Sequence, residues 1–235
     1  MTFDETMQFL KDHENPNGKK VLMRHGARDP FYGVRIGDLK KVVKKVKKNH
    51  ELAMRLYATG NSDAMYLAGL IADENRMSKQ DLQDWVENAY WYMLSEVAVA
   101  DVAAETPYWN ELSKEWMDSG QEMTACAGWG TYSAAISRHP NEDLDFEEIS
   151  KLLDRVEGSI HSAPNRVRYD MNHFVICAGS YIPELSDKAR RVAESIGKVS
   201  VDMGGTACKV PLASEYIARV IDRGNLGKKR ANRRC

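Results

Sequence analysis

Two features of this 235-residue chain could do chemistry: one carboxylate in apolar surroundings, and dense runs of cations. Asp101 stands in LSEVAVADVAAET, among small apolar residues on what the pattern predicts to be one helix. Removing a carboxylate from water is costly unless it is paired or hydrogen-bonded. Two roles would justify it. Asp101 could be an anion held for a cationic substrate or transition state, or a structural aspartate bonded to a helix terminus or an arginine of the next layer. Residue environment alone favours the structural role. Glu96 lies five residues earlier, about 140° round an α-helix from Asp101, so the two form no acid–base pair. His173, in NRVRYDMNHFVICAG, has no second histidine or cysteine at ligand spacing, so neither a metal site nor a cofactor is expected. The chain has no P-loop, dinucleotide fingerprint or G-x-S-x-G motif. Gly204-Gly205-Thr206 reads as a turn rather than a phosphate cradle.

The cations are better organised. Leu39, Val42, Val43 and Val46 recur at i, i+3, i+4 and i+7, and Lys40, Lys41, Lys44, Lys45 and Lys48 point the opposite way. Arg166 and Arg168 open another helix, where guanidinium groups could grip phosphate. Lys209 is counted with these candidates. A further cluster, Lys228, Lys229, Arg230, Arg233 and Arg234, closes the chain. The formal net charge of −1 hides this segregation, because the acidic residues gather at 81–122 and 142–154. Segregated charge suits a polyanion-binding face; a solvated helix face without a partner is the bland alternative. Trp91, Tyr92, Tyr108, Trp109 and Trp129 enrich the middle of the chain, and Tyr169 adjoins the two arginines. Aromatics near a basic face can stack on bases or cover a lesion, although at least half of those five are expected in the core.

These residues must be positioned by helices. Residues 33–73 read as three short helices, separated by Asn49-His50 and Gly60-Asn61, with Asp38 capping the first. Further helices are expected over 2–14, about 19–25, from 78, over 91–105, from 107, and over 122–137, 146–160, 164–181, 183–197 and 211–223. The stretch 198–211, KVSVDMGGTACKVP, alternates and then turns, which predicts a short extended excursion. Turns every 15 to 20 residues or so fit an all-α solenoid of HEAT type. One domain is expected over 1–224, followed by a mobile basic tail over 225–235. Cys126, Cys177, Cys208 and Cys235 form no C-x-x-C pair, which suits reduced thiols. The first two read as buried fillers, and Cys235 as exposed. No apolar run would span a membrane, and the acidic amphipathic N-terminus is no secretory signal, so a cytoplasmic location is expected, on the nucleoid if the source is bacterial.

The stretch FYGVRIGDLKKVVKKVKKNHELAMRLYATGNSDAMYLAGLIAD, the Asp101 helix and RVRYDMNHFVICAGSYI together resemble the AlkD-like DNA alkylation repair proteins, which are built from HEAT-like repeats. The ending resembles a shorter subgroup of that family. The resemblance implies hydrolysis of the N-glycosidic bond of N3- or N7-alkylated purines in double-stranded DNA, without a base-flipping pocket. Asp101 matches the family's catalytic aspartate, and aromatic side chains such as Trp109, Trp129 and Tyr169 would contact the substrate. Three positions depart from the family pattern. Val97 stands where a tryptophan precedes the aspartate by one turn, Asn172 or His173 replaces a second tryptophan, and Met123 or Thr124 replaces an arginine. The resulting expectation is a protein that binds duplex DNA on a basic concave face, with glycosylase activity weak or absent. The alternatives are a non-catalytic binder of damaged or branched DNA and a helical scaffold for an acidic protein partner. If lysines make the contacts, affinity falls steeply with salt and shows little sequence preference. A salt titration on duplexes of unrelated sequence checks this, and a flat response would exclude it.

Overall fold

The computed structural model describes residues 1–206 and 208–231. The segment 33–73 folds as three helices: α3 (Ile36–Val46), α4 (His50–Tyr57) and α5 (Ser62–Ile71), preceded by α1 (Phe3–Asp12) and α2 (Pro16–Arg24). Asn49 and Asn61 start α4 and α5, each side-chain oxygen accepting a backbone N–H two or three residues into the first turn. Asp38 does not cap α3. The helix begins one turn earlier with Arg35 at the cap position, and Asp38 instead pairs with Lys41 at 2.7 Å.

Next come α6 (Lys79–Asn88) and α7, whose Met93–Val99 is π-helical before it continues as an α-helix over Ala100–Ala103. They are followed by α8 (Trp109–Met117), α9 (Glu122–Arg138), α10 (Phe146–Ser159), α11 (Asn165–Tyr181), α12 (Pro183–Ile196) and α13 (Ala213–Asp222). No strand occurs among the described residues. The stretch after α12 is irregular rather than laddered. It is tied to the start of α11 by reciprocal bonds between Asn165 and Asp202, 2.7 and 3.0 Å. Gly204, at φ +69°, lies so close to the Arg24 carbonyl that a Cβ would overlap it.

The helices form two rows. α3, α5, α7, α9, α11 and α13 each pack on the next, while α4, α8 and α12 pack behind α5, α9 and α11. This is a HEAT-like helical-repeat solenoid, as the pattern of turns predicts. Members of the first row run parallel: Glu122 meets the start of α11 through the Arg166 N–H at 2.6 Å, and both Trp129 and Tyr132 meet Phe174 further along.

Small residues set the spacing. A methyl group on Gly69 would come within 2.7 Å of the Ala98 backbone, and one on Gly128 within 2.5 Å of the Met117 nitrogen. At Gly130 the nearest obstacle is only the Ala100 methyl, at 3.1 Å. The two α9 glycines should therefore respond differently to alanine. Helix propensity alone favours alanine by about 1 kcal/mol, so Gly130→Ala should be nearly neutral. Gly128→Ala, which drives a methyl into fixed backbone, should destabilise by about 1–3 kcal/mol. Urea unfolding midpoints check both.

Candidate nucleic-acid interface

Residues that remain partly exposed along the first row repeat every four positions. On α7 they are Met93, Val97 and, just past its end, Glu105, with Asp101 in the same register but only 5 % exposed. On α9, Met123, Ala134 and Arg138 continue the face, and on α11 Tyr169 and His173 do so. Asp101 thus sits on the open face of the row, withdrawn beneath its surface.

What covers it is Arg138, the last residue of α9. An Arg138 Nη1 lies 3.1 Å from Asp101 Oδ1, and its Nε lies 2.9 Å from Glu105; the Arg138 and Asp101 side chains are both 7 % exposed. This is an arginine of the next layer, as the structural role for Asp101 requires; the family-pattern arginine is replaced by Met123 or Thr124 at the start of the same helix. Arg138 arrives from the other end. A lone arginine closing a helix of small residues, opposite a carboxylate near the end of the preceding first-row helix, was the available signal. Trp109, half-buried, packs edge-on against Tyr132 and His139, the residue after Arg138. Trp129 is 1 % exposed, against Phe174 and below Arg155, so it cannot meet a substrate. Of the two residues aligned with the second missing tryptophan, Asn172 points inward and donates to the Pro211 carbonyl at 3.0 Å; His173 is the one on the open face.

Glu96 has a different partner. Because five residues of the π-helix span each hydrogen-bonded step, the angle expected for an α-helix does not apply, yet the two carboxylates still diverge. Glu96 grips Arg166 of α11 through both oxygens, Nη2–Oε2 being 2.8 Å. The same guanidinium is sandwiched between Tyr92 and Tyr169, 3.9 and 4.0 Å from the ring centres. Burial opposes the arginine's charge, but Glu96 more than compensates and holds its pKa above the ordinary value. Arg166 is therefore a structural clamp and not a free phosphate ligand. Cys126 and Asp170 complete a buried cluster in which donor atoms of Glu96, Cys126 and Asp170 lie within 4.8 Å of one another. Glu96 is already committed to Arg166, and burial, reinforced by Asp170, drives the Cys126 thiol far above its usual pKa. The cluster behaves as a hydrogen-bonded wedge between α7, α9 and α11.

The remaining candidates are cationic and accessible. Lys40, Lys41, Lys44, Lys45 and Lys48 are all exposed along α3, with Lys41 paired to Asp38 and Lys48 to Glu74. Arg168 is half-buried and donates to Asn165 at 3.2 Å, and Lys209 is exposed in the irregular stretch. Arg233, Arg234 and Cys235 lie outside the described residues.

The two-row solenoid is the fold of the HEAT-like DNA glycosylase-related proteins. Residues 6–189 match the family described as DNA alkylation repair enzyme, and the chain belongs to that family. A solved structure described as a new family of proteins related to the HEAT-like repeat DNA glycosylases with affinity for branched DNA structures superposes with a TM-score of 0.92. It shares 37 % identity and covers the whole of both chains. Two Listeria proteins, Lmo0209 of L. monocytogenes and Lin0241 of L. innocua, are each 36 % identical, over 95 % and 96 % of this chain and 99 % and 100 % of their own lengths. Both carry descriptions as uncharacterized proteins. No helix among the described residues is long and apolar enough to cross a membrane.

The Asp101 pair is asymmetric, and its asymmetry is measurable. Arg138→Met leaves Asp101 buried without its cation and should cost roughly 3–5 kcal/mol. Asp101→Ala leaves the guanidinium still bonded to Glu105 and should cost distinctly less. Chemical denaturation of both variants checks the order.

Proposed function

We propose that this protein binds branched or damaged DNA through the α3 lysine ridge without releasing a base, and that Asp101 serves as the counter-ion of Arg138. The observation that carries this reading is the buried pair itself. Stabilising a developing sugar cation requires a carboxylate aimed at the substrate with its charge uncommitted. Asp101 is instead buried and already compensated. One turn earlier, Val97 offers an alkyl group where a ring would be needed to pack on deoxyribose.

Membership of the alkylation repair family supports nucleic acid as the ligand, and the affinity for branched DNA structures described for the similar solved structure supports branched DNA. Exposed lysines act as point charges on phosphate and carry no base readout, so selectivity would come from the shape of the DNA. No protein scaffold role is needed to account for the ridge.

Single-turnover release of 7-methylguanine and 3-methyladenine from alkylated duplex, with protein in excess, tests the reading for wild type and Asp101→Asn. No release from either, with a four-way junction bound more tightly than a linear duplex under the same conditions, is the expected result. Release by wild type that disappears in the variant would make this an enzyme. Failure to bind any DNA at low salt would remove DNA as the ligand.

A further inference from the structure

Through residue 231 the chain end is tied to the helices, where a mobile tail was expected from residue 225. Beyond α13 the chain runs back across the C-terminal ends of two first-row helices. The Gly227 N–H donates to the Ser180 carbonyl at 2.9 Å, the Arg230 N–H to Ser137 at 2.8 Å, and Lys229 Nζ to Ile136 at 2.8 Å. These are last-turn carbonyls of α11 and α9, which have no partner inside their own helices and sit at the negative end of the helix dipole. An N–H-rich, cationic strap is their electrostatic complement. A Cβ on Gly227 would come within 2.9 Å of the Pro183 ring, so the strap is packed closely against the start of α12.

Between the strap, α11 and α13 lies a cavity of about 470 Å³, with His173, Ser180, Tyr216, Lys228, Lys229 and Arg230 in its wall. No carboxylate lines it among the described residues. The Ser180 hydroxyl is buried and lacks a hydrogen-bond partner among the described residues. Burial, with Glu184 and Glu142 acting only as weaker opposing influences, pushes Lys229 down to about 8. Three cations line the wall with no carboxylate among them, and the nearby Glu184 and Glu142 only partly offset the burial of Lys229.

We infer that this cavity is a second phosphate-binding station of the DNA interface, taking a backbone phosphodiester among Lys228, Lys229 and Arg230. The inference rests on the DNA-binding reading above and adds a separate contact to it. From α3 to α11, the helix that walls the cavity, there are four helix-to-helix steps, and at 8–10 Å each they put the cavity about 32–40 Å from the lysine ridge. That is close to one turn of B-DNA, about 34 Å. The intervening α5 and α7 contain no lysine or arginine, so the two stations are separate.

Lys228→Gln/Arg230→Gln tests the inference, because it leaves the Lys229 bond to Ile136 in place; a thermal melt confirms that the fold is kept. Binding of a four-way junction and a linear duplex is measured by anisotropy across a salt series, beside the ridge variant Lys40→Gln/Lys44→Gln/Lys45→Gln. The strap variant should weaken junction binding about tenfold or more at moderate salt, and should lower the slope of log affinity against log salt by about 2. The ridge variant should lower it independently. Unchanged affinity and slope, in a protein whose wild type binds the junction, would overturn the second station while leaving the DNA reading intact. Inorganic phosphate and a mononucleotide serve as soluble probes. If either raises the melting temperature of wild type only, and the DNA slope is the same in both proteins, the cavity serves a small phosphate compound and the inference fails. A wild type that binds no DNA at low salt removes the reading beneath it.

Discussion

The fold depends on how closely its first-row helices approach. At Gly69 against Ala98, and at Gly130 against Ala100, neighbouring helices meet with almost no side chain between them. Such contact gives each helix a large share of van der Waals attraction from its neighbours, but it leaves no room for bulky side chains in the seam. Specific pairing must then come from the edges of the row, where longer side chains can reach across. Glu96 reaches from α7 past the small face of α9 to Arg166, and Arg138 reaches back from the end of α9 to Asp101. The glycines create the distance that the ion pairs span.

Those buried pairs explain why the chain keeps carboxylates in an apolar helix. Each would be expensive alone, and each has an arginine at hydrogen-bonding distance. A buried pair need not make the fold more stable than an apolar substitute would, but losing one partner strands the other. Both members are thereby tied to each other for structural reasons alone. Asp101 needs no chemistry to justify its place in the helix, because Arg138 already compensates its charge.

Much of this was legible in the sequence. Asn49, Asn61, Pro164 and Pro183 mark helix starts by capping and backbone chemistry, and the apolar stripe of α3 fixes which way its lysines face. The structural reading of Asp101 followed from its surroundings, but its partner did not, because Arg138 is 37 residues away on a helix whose direction only the repeat geometry sets. Arg166 looked like a phosphate ligand, since nothing local shows that Glu96, 70 residues earlier, occupies it. Trp129 was misread for a related reason: a helix that is small and apolar on every side does not reveal which face meets solvent. The strap was hidden by composition, since a short run of glycine and basic residues reads as a tail unless the helix ends that it caps are known.

The placement of arginine and lysine follows from the same physics. Guanidinium groups are planar, forked and weakly hydrated, so they tolerate burial and match a carboxylate with two bonds. Here Arg138 and Arg166 are both spent inside the row. Ammonium groups are compact and strongly hydrated, and they remain outside on α3, where a flexible stem lets each follow a phosphate without a fixed geometry. The α3 ridge therefore carries point charges suited to phosphate and not to bidentate base reading. On the proposed DNA-binding reading, discrimination among DNAs rests on how many phosphates can be brought to cationic points at once, which depends on the path of the strands. On that reading the close approach of the first-row helices suits selection by shape, since it fixes the spacing on which the α3 cations are presented.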